Sequence, residues 1–364
     1  MIGATVDWGR TRRILVVRLD NIGDVVMLGP ALRALRANLP ETTLTLLCSP
    51  VGAGVAPLLP WVDEVLVRRV SWQDAGGSFT LDPERELRLV ADLRGGRFDA
   101  AIIFTSFSQS PFPPAYACYL AGIPVRVGQS REFGGSILSH CVPPAPYEAH
   151  QVERSLHLVE EVGLTRAGEE LEVRVRPEDR AAARRLLAEA GAPPTPYVVV
   201  APGASCPSRR FEAERFTTLV ELLARHSKVI VVGGANEREL AARVASGALG
   251  ARSLAGRTDV PTLAAIIEGA DLVVTNNSAP MHLADALGRP LVALFAGTEL
   301  ESQFAPRSSP CRVLRRETAC APCHAFVCPY ASGTAVPCLD IPPLEVASAA
   351  LDLLSAGASA GVGR

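Results

Sequence analysis

The side chains with most chemistry to offer lie in a few turns built from small and polar residues. Asp24 ends the turn Leu19-Asp20-Asn21-Ile22-Gly23-Asp24, between an apolar run and a helical pattern. A carboxylate there either takes a proton from a substrate hydroxyl or caps the helix, and position alone favours neither. Asp20 is the weaker candidate in the same turn. The loop 202–210 carries Ser205, Ser208, Arg209 and Arg210. Arginine forks and hydroxyls suit phosphate oxygens, and a positive charge at a helix start opposes the helix dipole, which mildly favours a ligand. In the stretch 271–297, Leu272-Val273-Val274 leads through Thr275-Asn276-Asn277-Ser278 into a helical pattern with Pro280 in its first turn. Ser278, Ala279, Met281 and His282 stand at that helix start, where unbonded N–H groups and the positive dipole end receive phosphate. His282 taken alone is more often an ordinary half-buried helix residue. Glu237, after Gly233-Gly234, either accepts hydrogen bonds from ribose or base, or supports a helix N-terminus. These loops predict a nucleotide-diphosphate pocket.

A different chemistry is offered near the C-terminus by Cys320-x2-Cys323-x4-Cys328-x9-Cys338, four of the nine cysteines. The spacing admits a closed tetrahedral zinc site with these four ligands, or else unligated thiols or a disulfide; no ferredoxin spacing is present. Cys48, Cys118, Cys141, Cys206 and Cys311 are scattered and read as small buried residues.

Strands and helices must position these groups. A chain of 364 residues, 48% hydrophobic and 20% charged, suits two α/β domains with sizeable cores. The pattern predicts strands at 13–18, 43–48, 64–68, 99–104 and 125–128, a strand-like piece at 171–175, and helices at 25–38, 84–95, 150–162 and 178–191. The segment 105–119 sets four aromatics among prolines just past a strand's end, as a ligand site or a packed connection. From 197 onward strand and helix alternate regularly, as in a parallel Rossmann-like sheet. The Pro-rich 192–196 marks a boundary between domains 1–192 and 193–364. The first turn has one glycine, Gly23, rather than G-x-G-x-x-G, which argues against a dinucleotide site.

Charge narrows the partners. The 36 basic and 38 acidic residues nearly cancel, so a nucleic-acid binder held by bulk charge is not expected. Residues 1–13 lead into no signal-type apolar region, and the apolar runs are strand-sized, which predicts a cytoplasmic protein.

Three blocks carry a resemblance. RILVVRLDNIGDVVMLGPALRALRANLP, APGASCPSRRFEAERF and NNSAPMHLADALGRPLVALFAGT resemble the opening block, the first donor loop and the most recognisable block of glycosyltransferase family 9, the ADP-heptose:lipopolysaccharide heptosyltransferases. The resemblance spans nearly the whole chain. It implies an α/β protein of GT-B architecture, with two Rossmann-like domains whose parallel sheets face a central cleft. The first would bind the acceptor, the second a nucleotide-sugar donor such as ADP-heptose, and the last helix would pack back across the junction. It also implies an inverting transfer with Asp24 as general base and no cofactor for catalysis. Arg209 then falls at a basic phosphate ligand, and Thr258 with the Ala255-Gly256 backbone near the nucleobase. One departure stands out: Asn277 occupies the place of an acidic residue that contacts the sugar. The acceptor implied is a lipid-linked or cell-envelope saccharide met at the inner face of the cytoplasmic membrane. Arg33, Arg36, Arg126 and Arg131 are basic candidates to meet it, or surface solubilisers. The competing readings are a nucleotide-sugar epimerase of the same architecture and a non-catalytic nucleotide-sugar binder; an NAD-dependent oxidoreductase stands third.

Overall fold

The computed structural model describes residues 6–361 apart from 75–76, 78, 81, 107–108 and 193–195. Two positions of the aromatic segment and three of the Pro-rich stretch thus lie outside the described residues. The chain divides into two compact units after Glu172, some twenty residues before the boundary expected from the prolines.

Unit 1 is built on β1 (Arg13–Arg18), β2 (Thr43–Cys48), β3 (Glu64–Val67), β4 (Ala100–Ile103), β5 (Val125–Gln129) and β6 (His140–Val142). All pair in parallel, in the order β3-β2-β1-β4-β5-β6. β1 and β4 are central and covered on both faces, which explains their unbroken apolar runs. The helices are α1 (Ile22–Met27), α2 (Gly29–Asn38), α3 (Pro83–Gly96), α4 (Phe112–Leu120) and α5 (Gln151–Glu161). One helix was expected over 25–38; two are found. Pro30 cannot donate the N–H that would continue the first helix, so α1 ends at Met27 and α2 starts afresh. α1 also starts earlier, which puts Asp24 in its first turn, just past the end of β1. From Phe112 onward the aromatic segment forms α4, with Tyr116 and Tyr119 stacked on its exposed side.

Unit 2 repeats the plan with β7 (Tyr197–Ala201), β8 (Lys228–Val231), β9 (Arg252–Ser253), β10 (Leu272–Asn276), β11 (Leu291–Leu294) and β12 (Cys311–Leu314). Its order is β12-β11-β10-β7-β8-β9, again all parallel. Its helices are α6 (Pro177–Glu189), α7 (Ala213–Leu223), α8 (Arg238–Ala245), α9 (Val260–Glu268), α10 (Ala279–Ala286), α11 (Glu301–Phe304) and α12 (Pro343–Gly361). α6 belongs here because it packs on α9, with the Arg180 fork on Glu268 at 2.6 and 2.7 Å. That contact is what moves the division ahead of the prolines. α12 was expected to pack back across the junction. Its apolar residues Val346, Ala347, Ala350 and Leu353 join the core of unit 2, beside α7 and β11. Among the described residues no helix is long and apolar enough to cross a membrane.

Both sheets carry their first and fourth strands side by side. In open α/β sheets the crevice at such a switch point, beyond the strands' carboxyl ends, receives ligands. β1/β4 and β7/β10 are therefore the two edges to inspect.

Candidate functional site

At the β1/β4 edge the floor is an arginine. Arg18, the last residue of β1, has a side chain only 1% exposed. Its Nη2 donates to Asp24 Oδ1 at 3.1 Å and to Ser106 Oγ at 2.9 Å, and its Nε stands 3.1 Å from Asp20 Oδ2. Ser106 Oγ also donates to Asp24 Oδ1 at 3.2 Å, and Gln109 Nε2 donates to Asp20 Oδ1 at 2.6 Å. Asp24 Oδ2 accepts the Asn21 N–H at 3.2 Å, so this carboxylate both caps α1 and joins a buried network. Asp20 is the more buried of the two acids. Desolvation pushes its carboxyl above the usual aspartate range, against the opposing pull of Arg18, and the Asp24 charge adds to the rise. Beside Ser106 opens a cavity of about 230 Å³, lined by Gln129, Arg131, Tyr147 and Arg154 among others. Of the basic residues expected to meet an acceptor, only Arg131 lines it. Arg126 is turned inward onto the carbonyls of Ile123, Pro124, Ser136 and Ile137. Arg33 and Arg36 are spent on α2's neighbours, Glu170 and Glu172 for the first and Asp63 for the second.

At the β7/β10 edge, the loop after β7 is tied down by an amide. Asn276 is fully buried; its Oδ1 accepts the Phe211 N–H at 3.1 Å, and its Nδ2 donates to the Pro202 and Gly203 carbonyls at 2.9 and 3.2 Å. Within that loop Ser205 is exposed, and Arg210 turns back to the Ala204 carbonyl. Ser208 is buried, its hydroxyl donating to the Ala325 carbonyl. Arg209 reaches outward. Its Nε donates to Thr298 Oγ1 at 3.0 Å, and its Nη2 pairs closely with Glu299, past the end of β11. Asn277 donates through Nδ2 to Glu299 Oε2 at 3.3 Å and accepts the Ala296 N–H at 3.2 Å.

The helix start at Ser278 is open to a ligand in part. Ser278 Oγ makes no capping bond to α10; it turns to Thr275 Oγ1 and the Asn276 carbonyl. Met281 is less available than its position suggests, because its N–H donates to the Ser278 carbonyl at 3.0 Å and its side chain is buried. His282 is buried, and Ala279 is half-buried at the first turn. Glu237 Oε2 accepts the Gly234 N–H at 2.7 Å, and only the missing side chain of Gly203 leaves room for its carboxylate beside the β7 loop. Thr258 is half-buried after Gly256, whose φ of 69° suits glycine.

The cysteine segment straps these loops together. Cys323 N–H donates to the Gly297 carbonyl and His324 N–H to that of Thr298, each at 3.0 Å, while Ser208 N–H donates to Phe326. All four cysteines, with Ser208, Thr298 and Tyr330, line a cavity of about 340 Å³. The zinc expectation finds no support: among the described residues no three of His, Cys, Asp or Glu are grouped so as to hold a metal ion. Their surroundings differ. Cys338 is buried, which raises its thiol, and its Sγ takes the Gly297 N–H at 3.2 Å; Cys320 is exposed and leans on Thr318. Elsewhere burial pushes the Cys48 thiol up to about 11 and the Cys118 thiol up to about 12, as small core residues.

Sequence reasoning missed Arg18, Ser106, Gln109, Asn276 and Glu299. A usable signal existed for two of them. Arg18 is a buried charge at the end of the apolar run 14–17, and Glu299 follows a parallel strand's carboxyl end.

The model of glycosyltransferase family 9 (heptosyltransferase) matches residues 86–332, and the chain belongs to that family. Lipopolysaccharide heptosyltransferase 2 of Escherichia coli K12 is 26% identical over 319 residues, covering 83% of this chain and 88% of that relative. Among solved structures, the glycosyl transferase family 9 protein from Veillonella parvula DSM 2008 superposes with a TM-score of 0.78 at 22% identity, covering 97% of this chain and 99% of that one. The E. coli ADP-heptose LPS heptosyltransferase II gives 0.74 at 24% identity, covering 94% and 99%. The protein is thus a glycosyltransferase of α/β, GT-B architecture. The epimerase, binding-module and oxidoreductase readings find no support beside it.

Proposed function

We propose that this enzyme moves a heptose-type sugar from an ADP-linked donor to a saccharide of the lipopolysaccharide core, with inversion at the anomeric carbon. The sugar, nucleotide and acceptor follow the names of the relatives and neighbours just described. The observation that carries the chemistry is the Asp24 carboxylate held at a switch point by Arg18 and Ser106. The family match starts at residue 86, so this role rests on geometry and on the resemblance of the opening block.

In the proposed step Asp24 removes the proton from the acceptor hydroxyl as that oxygen attacks the anomeric carbon. The bond from that carbon to the diphosphate oxygen breaks, and the electron pair leaves with the nucleoside diphosphate. Arg209 and the Ala279 amide at the start of α10 meet the developing charge, with Ser205, Ser208, Arg210, Ser278, Met281 and His282 around it. Glu237 takes ribose hydroxyls, Thr258 adjoins the base, and Asn277 stands beside the sugar. No cofactor enters this step. A lipid-linked acceptor would bring the protein to the inner face of the cytoplasmic membrane.

A thermal-shift screen of ADP-, UDP- and GDP-sugars tests the donor. ADP-heptose at a hundred times its Kd should stabilise the protein by about 2.7 kcal/mol. Stabilisation by none of the three classes sinks the proposal.

A further inference from the structure

The neutral residue at 277 leaves open what reads the sugar's hydroxyls, and the loops around it supply an answer. Glu299 receives donors from three segments: Arg209 of the β7 loop, Asn277 of the β10 loop, and its neighbour Thr298, whose hydroxyl lies 2.6 Å from Oε2. Its side chain is 15% exposed and that of Arg209 26%, so the pair lies at the rim of the loops and not in the core. Asn277 is oriented by the Ala296 N–H on its oxygen, which leaves its NH2 to face the carboxylate. The amide at 277 therefore holds an acid in place instead of being one.

We infer that Glu299 is the carboxylate that binds the hydroxyls of the donor sugar, and that its pair with Arg209 is the contact the donor's diphosphate opens. This rests on the donor reading above. A diphosphate offers Arg209 more negative charge than one carboxylate does, in the bidentate geometry a guanidinium prefers. Glu299, losing that partner beside incoming phosphates, needs replacement donors. An ionised carboxylate only accepts hydrogen bonds, and a sugar presents several hydroxyls that donate. Asn277 and Thr298 keep the carboxylate from swinging away during the exchange.

The experiment compares ADP with ADP-heptose by titration calorimetry on the wild type, Glu299→Gln and Asn277→Asp. In Glu299→Gln, affinity for ADP-heptose should fall roughly ten- to a hundredfold, the scale for losing hydrogen bonds to a charged group. ADP, which lacks the sugar, should bind as well as before or better, because Arg209 is released. That retained binding also shows that the variant is folded. Equal losses for both ligands would mean that Glu299 only props Arg209, and no loss for either would remove its contact with sugar; each overturns the inference. Asn277→Asp sets a second carboxylate against Glu299 and should weaken ADP-heptose binding, whereas tighter binding overturns the assignment. Wild-type protein that binds neither ligand refutes the donor reading itself, and the inference falls with it.

Discussion

At the β1/β4 edge an arginine lies beneath two aspartates, sealed to 1% exposure, while at the β7/β10 edge an arginine lies over one glutamate near the surface. The strand order and the crevice are the same in both units, so topology does not set this difference. What sets it is where the arginine sits along its strand. Arg18 is still within β1, and its side chain is trapped between neighbouring elements. Arg209 lies beyond β7 on a loop, held at its base by Asn276 and by the cysteine strap. A buried cation fixes its carboxylates; a rim cation can exchange its partner for a ligand. The first arrangement suits a group that must be aimed, the second a group that must grip and release.

The most damaging way to test this contrast is Asp24→Asn. Loss of a positioned base should cut kcat by about 10²- to 10⁴-fold while donor affinity, read by calorimetry, is retained. Transfer at the wild-type rate would remove Asp24 from the chemistry. Arg18→Met asks whether the first edge is truly fixed by charge. It leaves two carboxylates without their buried cation, and denaturant melts should show a loss of about 3–5 kcal/mol. A loss near zero would make that arginine as dispensable as one at the rim.

Asn276→Ala puts the same question to the second edge, where an amide does the holding. The Phe211 N–H and two loop carbonyls lose their partner, which should cost about 1–3 kcal/mol. Donor affinity should weaken with it, as the β7 loop loosens. Unchanged stability would show that the cysteine strap alone secures the loop.

The subtlest effect concerns Asp20. Burial raises its carboxyl in the folded state above the ordinary aspartate value. A raised carboxyl contributes stability that is present below the unfolded aspartate value, about 3.9, and is lost as pH rises through the folded one. The difference in denaturation midpoint between wild type and Asp20→Asn, followed upward from pH 3, should therefore move against the wild type. Parallel curves would mean that Arg18 cancels the cost of burying Asp20.

Much of the fold was legible in order along the chain. The runs Arg13–Arg18, Thr43–Cys48, Tyr197–Ala201 and Leu272–Asn276 stand out because a strand covered on both faces is rich in apolar and β-branched residues. The edge strands β6 and β12 carried no such signal, being short and less covered. Pro30 could have been read as a break within the opening helix, and the apolar periodicity masked it. The cysteine spacing admitted one closed site, because spacing cannot tell how the fold sets the four thiols relative to one another.

Local pattern by itself determined two parallel α/β units and the residue types in the loops at their strand ends, since strand runs, helix starts and turn residues are properties of adjacent positions. Tertiary structure alone decided which charges meet. Arg18 reaches Ser106 across 88 positions and Arg209 reaches Thr298 across 89. Such partners are chosen by strand order, which sets β4 beside β1 and β10 with β11 on one side of β7, and by burial, which raises the cost of leaving either charge alone.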